Sequence, residues 1–199
     1  MSHDYGKGPL ARGPRGPFTK HSGDVHTIVE HYTWTLPTDG TKMADVAKWH
    51  AARNFNGPGY HIGVHPDGSR EYGRPLWARG AGAAGHNDRY IHVVWFGGRK
   101  RGSDNGFDTR TPAQIKALDQ IYAELRAQFP TIKRICGHRA LTPTQCPGYD
   151  VEAWRAGRTQ APAPKSAAPI DDLRRADTQP ATGLAGIIAR LLAWLGGRA

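Results

Sequence analysis

Three side chains suited to binding zinc occupy scattered positions in this chain of 199 residues. His31 follows a run of β-branched and aromatic residues, His138 lies in Cys-Gly-His-Arg, and Cys146 lies in Gln-Cys-Pro-Gly-Tyr-Asp. Two imidazoles and one thiolate suit zinc, and a site with three protein ligands keeps a fourth position for water. This arrangement is typical of catalytic rather than structural zinc sites, and it indicates a hydrolase.

Five short segments have the composition of β-strands, because β-branched and aromatic residues favour extended backbone. They cover residues 25–35, 60–64, 70–72, 90–96 and 132–136. Pro66-Asp67-Gly68 is a turn signal and predicts a hairpin between the second and third segments. The first segment places His31 at or near its C-terminal end, and the last delivers His138 into a loop.

Two helices are predicted between these segments. Residues 45–54 show the helical spacing of apolar residues, with Trp49 on the inward stripe. A longer helix begins where Thr111 supplies an N-cap and Pro112 takes the first helical position, and Pro130 ends it. Helices and strands thus alternate along the middle of the chain.

The two ends of the chain differ in composition from the middle. Residues 1–23 are rich in Gly, Pro and basic residues, which predicts a flexible basic arm. We expect a catalytic domain over 24–156 and an Ala-, Pro-, Arg- and Gln-rich linker over 157–180. Residues 181–199 carry apolar side chains at helical spacing, which predicts an amphipathic helix. This helix is too short for a bilayer span of roughly 20 residues. It either docks on the domain or, as we expect, contacts a membrane surface.

The chain is strongly basic, with 27 Lys and Arg against 17 Asp and Glu and a formal net charge of +10. Such a charge predicts attraction to polyanions such as nucleic acid, anionic lipid or the acidic polymers of a bacterial envelope. No segment is a dense run of Lys and Arg, so a nucleic-acid-binding arm is the weaker interpretation. We therefore expect no specific nucleic-acid partner.

Several short motifs occur in a fixed order along the central domain. They are His31-Tyr-Thr-Trp-Thr, Gly59-Tyr60-His61-Ile-Gly-Val, Thr111-Pro112-Ala-Gln, Gly137-His138-Arg139 and Thr144-Gln-Cys146-Pro-Gly-Tyr-Asp. This ordered set resembles the zinc-dependent N-acetylmuramoyl-L-alanine amidases of the phage-lysozyme and peptidoglycan recognition protein type, over roughly residues 24–156.

The resemblance implies a mixed α/β domain, in which a central β-sheet flanked by helices holds Zn²⁺ in a peptidoglycan-binding groove. It also implies cleavage of the amide between N-acetylmuramic acid and the L-alanine of the stem peptide. His31, His138 and Cys146 match the zinc ligands of the family, while Tyr60 and Thr144 match its catalytic positions. From the residues alone, Tyr60 packing with its hydroxyl at the surface and Thr144 bracing its loop remain alternatives.

The chain departs from the amidase pattern at two places. Many of these enzymes carry a histidine in the loop before the central strand, where this chain has Gly82, with His86 nearby. The strand that follows reads Tyr90-Ile91-His92 in place of the usual Ser-Ile-Gly. We expect the remaining histidines of the domain to be structural or solvated, namely His50, His61, His65 and His92.

The resemblance predicts a phage endolysin. The first residues contain no apolar secretory core, so we expect the protein in the cytoplasm of the producing bacterium until its release to the cell wall. Cys136 and Cys146 do not form a disulfide framework, which fits a reducing compartment. We expect a monomer. The alternative is a recognition module that binds peptidoglycan without cutting it, and the presence of Cys146 ranks it second.

Overall fold

The computed structural model describes residues 12–158 and contains a five-stranded mixed sheet with helices around it. The strand order is β5-β4-β6-β3-β7, and every neighbouring pair is parallel except the β4–β5 hairpin. The elements are β1 (Arg12–Gly13), β2 (Gly16–Pro17), β3 (Thr27–Tyr32), α1 (Met43–Ala51), β4 (Ile62–Val64), β5 (Arg70–Tyr72), β6 (Tyr90–Trp95), α2 (Pro112–Gln128), β7 (Arg134–Gly137), a 3-10 turn (His138–Ala140) and α3 (Val151–Ala156).

The long helix α2 begins where its cap was predicted. The Thr111 side chain accepts a hydrogen bond from the Gln114 N–H, and the Gln114 side chain accepts one from the Thr111 N–H, which completes a capping box. The Gln114 amide then donates to the carbonyls of Val64 and Phe96 in the sheet. These bonds hold the start of α2 against the ends of β4 and β6.

Helix α1 begins earlier than predicted and buries a different face. It starts at Met43, and its buried side chains are Met43, Val46, Ala47 and His50, at the spacing of one helical face. Trp49 was predicted to lie on this inward stripe, but 45% of it is exposed. The prediction for Trp49 was wrong because the stripe is set from Met43, which places position 49 outside the buried face.

Residues 12–23 are folded against the domain, where a flexible arm was expected through residue 23. Strands β1 and β2 form a small antiparallel hairpin. The Phe18 side chain is buried under the guanidinium of Arg74, and Lys20 pairs with Ala78 in an isolated bridge. The ordered domain therefore begins well before residue 24, since backbone pairing and one aromatic anchor compensate for the Gly- and Pro-rich composition.

The rest of the predicted arm, most of the linker over 157–180 and the C-terminal helix over 181–199 lie outside the described residues. Between residues 12 and 158, no helix has both the length and the apolar character needed to cross a bilayer.

Candidate metal centre

The sheet brings the first two candidate ligands together. In the parallel pairing of β3 with β7, Glu30 lies opposite Gly137, so the next residues, His31 and His138, leave the same edge of the sheet side by side. The centroids of their imidazole rings are 4.7 Å apart. Adjacent parallel strands always end at one edge, and here that edge carries both histidines.

Cys146 reaches the same place from the loop that follows the 3-10 turn. The Arg139 N–H donates to the Cys146 carbonyl at 2.8 Å, which ties the His138 turn to the cysteine loop. The Cys146 Sγ lies 3.7 Å from the Nδ1 of His31 and accepts a hydrogen bond from the Tyr32 N–H at 3.4 Å. The thiol is thus oriented by the strand that carries His31.

The three ligand atoms fit a zinc ion. They all lie within 4.8 Å of one another, and they form the one group of three or more His, Cys, Asp or Glu side chains among residues 12–158 that could hold a metal ion. A tetrahedral zinc with usual bond lengths separates a nitrogen and a sulfur ligand by about 3.6 Å. The 3.7 Å between His31 Nδ1 and Cys146 Sγ matches that separation.

The protonation of the metal-free site also suits a cation. Burial lowers the pKa of His31 well below its ordinary value, and the neighbouring His92 and His138 lower it further. Burial also lowers the pKa of His138, so both imidazoles are neutral at pH 7 and can act as ligands. Burial raises the pKa of the Cys146 thiol to about 12. A metal would therefore displace one proton, from sulfur, on binding.

Tyr60 and Thr144 lie beside the candidate ligands. The Tyr60 ring is partly buried, with its centroid 4.9 Å from that of His31. Burial raises the pKa of Tyr60 above its ordinary value, and the nearby Cys146 adds to the effect. The Thr144 hydroxyl accepts a hydrogen bond from the Cys146 N–H at 3.2 Å. Thr144 therefore braces the cysteine loop, whether or not it also contacts a substrate.

A buried ionic network behind the site was not predicted. Glu30 is 1% exposed and accepts hydrogen bonds from the hydroxyls of Tyr122 and Tyr149, each at 2.5 Å, with the Arg110 guanidinium 3.5 Å away. Burial raises the pKa of Glu30, and Arg110 opposes that rise. The network joins the His31 strand to the segment after Cys146. The sequence pointed to this network only through Glu30, a charged residue that directly follows the apolar pair Ile-Val in a predicted strand.

A row of buried histidines crosses the sheet beside His31. The Nδ1 of His92 lies 2.9 Å from the Nε2 of His31. The backbone N–H of His92 donates to the Nδ1 of His61, and the Nε2 of His61 lies 2.9 Å from the Ala78 carbonyl oxygen. His61 and His92 are fully buried, as a structural role requires. The contact between His92 and a candidate ligand was missed, because it depends on strand register.

Comparison with known proteins identifies the family to which this sequence is similar. The sequence model of the N-acetylmuramoyl-L-alanine amidase family matches residues 21–149. The endolysin of Klebsiella phage KP32 is 30% identical over 139 residues, which cover 69% of this chain and 89% of that protein. The endolysin of Escherichia phage T7 is 30% identical over 137 residues, covering 68% and 88% respectively.

Solved structures have the same fold. The endolysin N-acetylmuramoyl-L-alanine amidase LysCS from Clostridium intestinale is 25% identical, covers 78% of this chain and 97% of its own, and superposes with a TM-score of 0.62. Drosophila peptidoglycan recognition protein SD shares the fold with a TM-score of 0.61 at 20% identity, covering 79% and 94%. The mixed α/β fold implied by the sequence motifs is confirmed. This chain belongs to the N-acetylmuramoyl-L-alanine amidase family.

Proposed function

We propose that this chain is a zinc-dependent endolysin that hydrolyses the amide bond between N-acetylmuramic acid and the L-alanine of the peptidoglycan stem peptide. The proposal rests on one observation: His31, His138 and Cys146 converge at one edge of the sheet. They do so in a chain that matches the N-acetylmuramoyl-L-alanine amidase family. The endolysins of phages KP32 and T7 are among its relatives, which supports a role in bacterial lysis.

His31, His138 and Cys146 would hold the zinc. A bound zinc would lower the pKa of a water molecule, so that it can act as the nucleophile, and would polarise the amide carbonyl as a Lewis acid. Burial of His31 and Cys146 excludes bulk water from one side of the site, while His138 is only partly buried. The open side of the centre is therefore on the His138 side, and substrate approaches from there.

Tyr60 is protonated at neutral pH, because the ordinary pKa of a tyrosine hydroxyl is about 10 and burial raises that of Tyr60 further. It therefore acts as a hydrogen-bond donor, either to orient the attacking water or to stabilise the oxyanion that forms on the amide carbonyl oxygen. The Thr144 hydroxyl already accepts from the Cys146 N–H, which leaves its own proton free for a second donation to that oxyanion. When the C–N bond breaks, the lactyl carbonyl carbon of N-acetylmuramic acid keeps the oxygen of the attacking water as a carboxylate. The L-alanine nitrogen of the stem peptide leaves as an amine and takes up the proton that the water lost.

The alternative, a module that binds peptidoglycan without cutting it, is not favoured. Loss of the cysteine ligand would mark such a module, and Cys146 is present and oriented by the Tyr32 N–H. The formal charge of +10 supports attraction to polyanions, which include the acidic polymers of the envelope, and the chain has no dense run of Lys and Arg that would indicate a nucleic-acid-binding arm. We further propose that the protein acts as a monomer and stays in the cytoplasm of the producing cell until release. Residues 181–199 would then contact a membrane surface.

The test is identification of the bond that is cut. Purified sacculi are digested with the full chain, and the soluble products are analysed by mass spectrometry. We expect stem peptides with a free L-alanine amine, together with glycan strands that retain intact N-acetylmuramic acid. Cys146→Ser should abolish release, whereas Cys136→Ser, which changes the other buried cysteine outside the ligand group, should retain it. Release of disaccharides or of internally cleaved peptides would refute the proposal.

A further inference from the structure

His92 is a buried histidine that the family pattern does not account for. His92 lies in β6 opposite Val29 of β3. Because Val29 is two residues before His31 and side chains alternate along a strand, His31 and His92 project from the same face of the sheet. His92 has no exposed surface, and its Nδ1 faces the Nε2 of His31 at 2.9 Å. Burying a polar side chain at the centre of a sheet costs free energy unless a hydrogen bond offsets it.

The loop over His92 is built to admit its ring. A Cβ atom added to Gly82 would lie 2.6 Å from the His92 Nδ1, and one added to Gly80 would lie 2.2 Å from the His92 Cδ2. Real Cβ atoms essentially never approach other heavy atoms this closely, so a side chain at either position would force the His92 ring or the loop to move. The two departures from the amidase pattern, Gly82 in the loop and His92 in the strand, are therefore one spatial change.

The proton arrangement between the two rings follows from the ligand geometry. The Nδ1 of His31 faces the Cys146 Sγ, so it must keep a lone pair if it is to bind a metal. A neutral imidazole carries one proton, which then lies on the Nε2 of His31. The nitrogen facing it, the Nδ1 of His92, must accept that hydrogen bond.

We propose that His92 is the positioning residue for the zinc ligand His31, accepting a hydrogen bond from its Nε2–H and so presenting its Nδ1 to the metal. This inference rests on the zinc site proposed above. The His92 ring stacks on the His61 ring, with 5.9 Å between their centroids, and the His61 ring is held in place because its Nδ1 accepts a hydrogen bond from the His92 backbone N–H at 2.9 Å. The His61 Nε2, which then carries the proton, donates to the Ala78 carbonyl.

Zinc affinity of two variants tests this role. His92→Leu fills similar space without an acceptor, whereas His92→Asn keeps an acceptor oxygen near the position of Nδ1. Competition with a chromophoric chelator should show the Leu variant of the full chain binding zinc about 10–100-fold more weakly than wild type. The Asn variant should recover part of that loss. Thermal unfolding of the two chelated variants measures how each substitution affects packing. If His92 positions His31, the two variants should differ more in zinc-binding free energy than in metal-free stability.

Equal zinc affinity in wild type and the Leu variant would overturn the inference. Failure of wild type itself to bind zinc would instead defeat the proposed function. A second measurement needs no variant and serves if the substitutions do not fold. Long-range ¹H–¹⁵N correlation spectra of the zinc-loaded wild type should show the proton of His31 on Nε2 and an unprotonated Nδ1 on His92. A proton on the Nδ1 of His92 would refute the assignment.

Discussion

Lowering the pH from 7 to 5 should destabilise the metal-free protein, because two buried histidines cannot accept a proton without losing their native contacts. Burial lowers the pKa of His61 to about 3 and the pKa of His50 to about 4, from an ordinary value of 6.5. The Nδ1 atoms of both rings accept hydrogen bonds from backbone N–H groups, which a proton on Nδ1 would break. Both groups therefore bind more protons in the unfolded chain than in the folded one.

The sign and size of the effect follow from linkage. The folded pKa values lie below the unfolded value, so the full stability is present above pH 6.5 and is lost as the pH falls toward the folded values. At pH 5, about 1.5 pH units below the unfolded value, each histidine removes about 2 kcal/mol. The loss of about 4 kcal/mol is large against a typical total stability of about 5–15 kcal/mol. Lowered pKa values of His31 and His92 act in the same direction.

Urea unfolding of the chelated protein at half-unit pH steps measures this loss. His50→Asn is the matched variant, because its amide oxygen can still accept from the Gly59 N–H but does not titrate. Its slope of unfolding free energy against pH, between pH 4.5 and 6, should be smaller than that of wild type by about 1.2 kcal/mol per pH unit, because the pKa of His50 is about 4 when folded and 6.5 when unfolded. Constant stability of wild type from pH 7 to 5, or equal slopes in the two proteins, would show that burial of these histidines does not couple stability to pH.

Three further predictions concern the site and its supports. Glu30→Gln removes the charge that faces the buried Arg110 at 3.5 Å, and it should lower the free energy of urea unfolding by about 3 kcal/mol. A loss below about 1 kcal/mol would show that the ion pair is not needed. Tyr60→Phe should reduce kcat for stem-peptide release about 10²–10³-fold with unchanged zinc affinity, and a normal kcat would exclude the donor role. Gly82→Ala should destabilise the protein by about 1–3 kcal/mol in thermal melts, because its Cβ meets the His92 ring. The same change in a His92→Gly background should cost much less, and equal costs in both backgrounds would contradict the contact.

Much of the framework followed from local sequence signals. The Thr111 cap, the β4–β5 hairpin and the strand before His31 were predicted and are confirmed, because each depends on residues close together in the chain. The three candidate ligands were named from their chemistry and from the family motifs, and the fold brings them together. Their roles and those of Tyr60 and Thr144 stay predictions.

What could not be predicted depends on contacts between distant segments. Residues 12–23 have a composition typical of a flexible arm, yet Phe18 finds a buried position under Arg74, more than fifty residues away. Glu30 depends on partners from α2 and from the Cys146 loop. His92 meets His31 only through the register of β3 with β6, which no local pattern reveals.

The proposed amidase activity depends on zinc held by His31, His138 and Cys146. This dependence is measured by titrating zinc into the chelated full chain. At each zinc concentration, the stem peptides that have a free L-alanine amine and are released from sacculi are quantified. We expect no release without metal, a linear rise with added zinc, and saturation at about one zinc per chain, because residues 12–158 contain one such group of ligands. Full release from protein that contains no zinc would show that the activity does not depend on this metal.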